Sequence, residues 1–127
     1  MIEDHFSLGS LDDILDPGAR QFLWKEGEHP LAFFLVRQRN EVFAYVNQCP
    51  HAGHQLNWMP DRFLTRDGGL ILCNSHGAQF RIYDGFCVEG PCPGENLRPI
   101  AIEMKGEKIF ARKEELQAML DVTPRFP

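Results

Sequence analysis

Two short segments, "CPHAGH" at residues 49 to 54 and "CNSHGAQF" at residues 73 to 80, each hold a cysteine and a histidine a few positions apart. Any fold that uses them must bring two loop tips together, because 21 residues separate His51 from Cys73. The donors offered are two thiols and two imidazoles, Cys49, His51, Cys73 and His76. Four cysteines in a chain expected to sit in a reducing compartment point to ligands or plain thiols more than to a disulfide framework.

The sequence around the two segments reads as strands. Short apolar runs are cut by turn signals, which is the pattern of an all-β chain. "LAFFLVRQ" and "EVFAYVNQ" predict a hairpin at Arg39-Asn40, with the asparagine suited to a positive φ. "LILC" follows the turn "RDGG", and "QFRIY" meets "FCV" across Asp84-Gly85. "LRPIAIEM" and "EKIFARK" flank Lys105-Gly106, and Ile100, Ile102 and Met104 are spaced to share a face. "KEELQAML" predicts one short helix with a stripe of Leu116, Met119 and Leu120, and Glu114 and Glu115 near its positive end. "GSLDDILDPG" predicts a helical turn, with Ser10 and Asp13 at capping-box spacing and Pro17-Gly18 as the stop. The tail "DVTPRFP" is expected to fray or lie on the surface. Each Cys/His pair then follows a strand directly: "FAYVNQ" runs into Cys49 and "LIL" into Cys73.

Composition narrows what such a chain does. Its 127 residues, 43% hydrophobic, suffice for one domain over residues 1–127 with its own core. The net charge of -5 argues against a nucleic-acid surface, and no run is long and apolar enough for a bilayer. The acidic start "MIEDHFSLGSLDDILD" does not resemble a signal peptide, so the expected location is the cytoplasm. No G-x-G-x-x-G fingerprint is present, and nothing points to a nicotinamide or flavin site or to a small-molecule substrate.

Two metal chemistries accept the donor set. Zinc takes sulfur and nitrogen readily, but zinc fingers place a cysteine pair before a histidine pair. Here the types are interleaved as C-x-H and then C-x-x-H. A binuclear cluster with two cysteines on one iron and two histidines on the other is served naturally by that order, which favours iron.

"CPHAGH" with "CNSHGAQF" resembles the two cluster-binding loops of Rieske-type 2Fe-2S proteins, and "GPCPG" at residues 90 to 94 stands where that family has its shielding proline loop. The three loops fall within residues 49–94. The resemblance implies an antiparallel β sandwich with a small cluster-binding subdomain and one short C-terminal helix. It also implies one 2Fe-2S cluster per chain, held by Cys49, His51, Cys73 and His76. "NWMPDRF" lengthens the segment between the two loops relative to compact members. Respiratory members carry a further cysteine in each loop, and here those positions read His54 and Ser75. The likeness is therefore to Rieske-type ferredoxins and the ferredoxin domains of oxygenase systems. Ala78 and Phe80 stand where the high-potential branch has hydroxyl donors, so a potential in the lower part of the Rieske range is expected.

The implied function is one-electron transfer from a reductase to a terminal oxygenase or other redox acceptor, without catalysis by the chain itself. A small subunit fixed in a larger redox enzyme, such as a nitrite reductase, and a zinc-stabilised β-domain that binds protein are the alternatives. Cys87 and Cys92 read as plain thiols, with a mutual disulfide as the next reading; His54 reads as a hydrogen-bonding loop histidine. Gly53 and Gly77 let the backbone approach the cluster, whereas Trp58 and Met59 read as core caps or an apolar rim. His5 and His29 carry no signal.

Overall fold

The structure is a computed structural model that describes residues 4–25, 30–50, 55–57, 59–74, 77–90 and 94–123. The strands are β1 His5–Ser10, β2 Gly18–Lys25, β3 Pro30–Gln38, β4 Glu41–Val46, β5 Leu70–Leu72, β6 Gln79–Arg81, β7 Cys87–Glu89, β8 Pro99–Ile100, β9 Ile102–Lys105 and β10 Lys108–Arg112. A 3-10 turn spans Leu11–Asp13, and helix α1 spans Lys113–Val122. They form three antiparallel sheets, ordered β1-β10-β9, β2-β3-β4-β8 and β5-β6-β7. The all-β expectation with one C-terminal helix holds.

Strand β3 is the wall between two cores. Its side chains alternate as a strand requires, but both faces are covered. Phe34 and Val36 join Tyr45, Phe63, Ile71 and Phe80 on the side that also holds Cys49 and Cys73. Phe33 and Leu35 join Trp24, Ile109, Leu116 and Leu120 on the other. Helix α1 closes this second core through Leu116 and Leu120, each contributing about 2 kcal/mol by leaving water. Met119 packs against the same core, completing the expected stripe.

Several turns differ from expectation in an instructive way. In the β3–β4 hairpin the positive φ falls on Arg39 and not on Asn40. Arg39 is pinned there: its N–H donates to Asp16 Oδ1 at 2.7 Å, and its carbonyl accepts from Arg37 Nε at 2.7 Å. The run "LRPIAIEM" is not one strand. It breaks at Ala101, so that Ile100 lies in the β4 sheet while Ile102 and Met104 belong to the β10 sheet. Ile100 is buried and Met104 is exposed, so the three do not share one buried face. The β9–β10 turn at Gly106 and the β6–β7 turn through Gly85 do take positive φ as expected.

At the amino-terminal turn the Ser10 N–H donates to Asp13 Oδ2 at 2.9 Å, the returning half of a capping box. The tail is more ordered at its start than composition suggested, since Asp121 and Val122 complete α1. The Thr123 hydroxyl caps the helix on the Met119 carbonyl at 2.5 Å. Residues 124–127 lie outside the described residues.

Candidate metal centre

Both predicted ligand loops leave the ends of strands that face the first core. Strand β4 ends at Val46, whose N–H donates to the Arg98 carbonyl at 2.9 Å. The next amide, Asn47 N–H, donates to the Ala32 carbonyl of β3 at 2.8 Å. Cys49 follows two residues later and is buried. Strand β5 delivers Cys73 in the same manner, fully buried beside Ala78 and Phe80. The fold thus brings the two predicted cysteines, 24 positions apart in sequence, into one apolar core. Cys49, Cys73 and Cys87 form no disulfide with one another.

The second loop closes on its own backbone. The Cys73 N–H donates to the Ala78 carbonyl at 2.8 Å, and the Gly77 N–H donates to the Cys73 carbonyl at 3.1 Å. Gly77 makes this possible with φ at 75°. A Cβ built there meets nothing within 4 Å, so conformation and not crowding demands glycine. Gly90, the first residue of the proline-loop motif, is placed differently. Its φ is 92°, and a Cβ on it would lie 2.7 Å from Ala78 Cα.

The segment between the two loops is built into this half of the molecule. Residues 63–65 run antiparallel to β5 through the Leu72 N–H bond to the Phe63 carbonyl at 2.7 Å and the Thr65 N–H bond to the Leu70 carbonyl at 2.9 Å. Phe63 stacks on Phe34 with ring centroids 4.2 Å apart. Gly68 sits so close to Pro17 that a Cβ would approach its Cγ to 2.6 Å.

His51, His54, His76, Gly53, Cys92 and Trp58, together with His29, lie outside the described residues, so the histidine half of the predicted ligand set rests on sequence. Cys87 is buried in the same core, and its thiol lies 3.3 Å from the Glu89 carbonyl as a donor. Met59 is partly exposed. His5, dismissed from the sequence, hydrogen-bonds through Nε2 to Glu103 Oε2 at 2.9 Å, remote in sequence from both loops.

The electrostatics near the core follow from burial and pairing. Burial pushes the Tyr45 hydroxyl pKa well above its usual value, and the nearby Asp84 carboxylate adds to this. The phenol therefore stays protonated and donates to the Ile82 carbonyl at 2.5 Å. Asp84 is held below the usual carboxylate range, chiefly by its bonds from Arg81 and also by the Phe86 N–H.

The family profile of the Rieske 2Fe-2S domain matches residues 12–117. The chain belongs to that family. Both cysteines described above and the two histidines lie inside the matched span. The donor set fits the group this family is named for: two soft sulfur donors, buried in apolar surroundings at the ends of two separate strands, suit iron bound to sulfide.

Solved structures agree on the fold. The chain is similar to a structure described as a complex of reduced oxygenase and oxidized ferredoxin in carbazole 1,9a-dioxygenase, with 22% identity, a TM-score of 0.66, and coverage of 87% of this chain and 94% of that one. It is similar to the ferredoxin of carbazole 1,9a-dioxygenase from Nocardioides aromaticivorans IC177, with 20% identity, a TM-score of 0.65, and coverage of 85% and 96%. A longer chain, from the reduced complex between oxygenase and ferredoxin in carbazole 1,9a-dioxygenase, matches at 14% identity and a TM-score of 0.67, over 85% of this chain and 28% of that one. No curated protein sequence matches. Among the described residues no helix is long and apolar enough to cross a membrane.

Signals for the second tier of site residues were weak in the sequence. Asn47, Leu56 and Asn57 flank the first loop without a recognisable spacing, and Asn57 meets Gln21 of β2, a strand far away in sequence.

Proposed function

We propose that the chain is a one-electron carrier, with Cys49, His51, Cys73 and His76 holding one 2Fe-2S cluster. It takes electrons from a reductase and passes them to an oxygenase or another redox acceptor, and performs no catalysis of its own. The burial of Cys49 and Cys73 in a single core within a Rieske domain carries this reading. When bound, the cluster supplies a reversible one-electron couple whose potential is raised by neutral imidazole ligands.

The protein's own residues do the rest. Phe34, Phe63 and Phe80 exclude water from the cysteine side of the site. The backbone bonds of residues 73–78 fix the second loop, and Gly90 packs closely against Ala78. The likeness to chains from ferredoxin and oxygenase complexes supports an oxygenase as one partner. We read residues 1–127 as one domain with its cluster loops within 49–94, working in the cytoplasm.

The test is the spectrum of freshly purified protein made with ample iron. A red-brown protein, with the anisotropic, low-average-g EPR signal of mixed histidine and cysteine ligation after reduction, is expected. Stoichiometric zinc with neither iron nor sulfide would reject the reading.

A further inference from the structure

We propose that Asn47 is the positioning residue of the first ligand loop, and that Asn57 and Asp61 of the NWMPDRF segment serve to hold it. The inference rests on the cluster-binding reading above.

Beside the Tyr45 phenol, Asn47 is the one buried polar side chain among the described residues. Its amide is used at both ends. Oδ1 accepts from the Leu56 N–H at 2.9 Å, and Nδ2 donates to Asn57 Oδ1 at 2.9 Å. Turning the amide over would set donor against donor at Leu56, so its orientation is fixed. The first of these bonds closes the loop that contains Cys49 and His51. In the second loop backbone groups make the equivalent closure between Cys73 and Ala78. The span from Asn47 to Leu56 is nine positions, too long for a single turn bond, and a side chain takes the task.

Leu56 carries the connection onward. Its carbonyl accepts from the Asn74 N–H at 2.9 Å, and Asn74 directly follows Cys73. Asn47, Leu56 and Asn74 therefore form a strut between the two ligand loops. On its outer side the strut is anchored to β2. Asn57 Nδ2 donates to Gln21 Oε1 at 2.8 Å and to the Met59 carbonyl at 2.9 Å, and the Gln21 N–H donates to Asp61 Oδ1 at 2.8 Å. The NWMPDRF segment supplies Asn57 and Asp61. Groups that orient metal ligands in this way control how tightly a site holds its metal.

The experiment uses the cluster-loaded full chain. Bleaching of the visible band under excess chelator is timed, and the EPR spectrum of the reduced protein is recorded. Asn47→Leu keeps the volume and removes both bonds; it is expected to lose the cluster roughly 10-fold faster or more, with shifted or broadened g values. Asn47→Asp keeps an acceptor for the Leu56 N–H and should fall closer to the parent protein. Asn57→Ala removes the outer anchor and the bond from Asn47 Nδ2 but leaves the Leu56 bond, and should be intermediate. Parent-like bleaching and EPR in Asn47→Leu would overturn the inference. If that variant does not fold, parent-like behaviour of Asn57→Ala overturns it instead. A parent protein that never holds a cluster defeats the electron-carrier reading, a result separate from either.

Discussion

Gly90 presses its Cα against the backbone of Ala78: a Cβ there would lie 2.7 Å from Ala78 Cα and 3.0 Å from Ala78 N. The contact joins the start of the proline loop to the residue that closes the second ligand loop. Gly90→Ala meets both this crowding and a φ of 92° that side chains resist. Destabilisation of about 1–3 kcal/mol is expected, measured by denaturant unfolding, together with faster bleaching of the cluster.

The ligand set divides the cysteines. Cys49→Ser, Cys73→Ser, His51→Ala and His76→Ala should each abolish cluster assembly, as read by iron and sulfide content. Cys87→Ser and Cys92→Ser should retain it. Cys87 shares the core with the two proposed cysteine ligands, yet its thiol is directed at the Glu89 carbonyl. An intact cluster in any of the first four variants would show that the set is wrong.

Tyr45→Phe removes the hydroxyl that donates to the Ile82 carbonyl. The carbonyl loses a partner in the core, and a loss of about 1–2 kcal/mol is expected in unfolding experiments at neutral pH. Because the folded-state pKa of Tyr45 is raised above the ordinary value of 10.0, its contribution is complete below that value and declines as pH rises beyond it. Stability of the parent protein should therefore fall more steeply above pH 10.0 than that of the variant.

Glu103 contributes to the acid limb. Its carboxyl is held below the usual 4.5, first by the bond from His5 and then by the Arg112 guanidinium. Such a group stabilises the fold above its ordinary pKa, and the effect is lost as pH falls through the folded value. Glu103→Gln should flatten the decline of stability below pH 4.5, measured by urea unfolding across a pH series, with a small change at neutral pH because the group is solvent-exposed.

Much of this architecture was legible in the sequence because turn chemistry and alternation act locally. The hairpin at residues 39 and 40, the turn at Gly106 and the stripe of α1 are each written within a dozen residues. The placement of Cys49 and Cys73 directly after strands was legible as well, since the strand signals before them are local. What escaped depended on distant partners. Arg39 takes the positive φ because Asp16 lies across from it, and Ile100 parts from Met104 because β8 and β9 pair with different strands. Asn47 looked like any polar residue at a strand end; only the approach of Asn57 and Gln21 gives its burial a reason.

The doubly covered strand β3 writes two messages in one run of letters. Even positions Phe34 and Val36 speak to the half of the protein that holds the cysteines, and odd positions Phe33 and Leu35 to the half closed by the helix. A volume change at an even position should register in the redox midpoint, whereas one at an odd position should register in helix docking. Evolution or a designer can thus retune electron affinity and thermal endurance on neighbouring codons, provided that no insertion or deletion shifts the strand by one and exchanges the two readers.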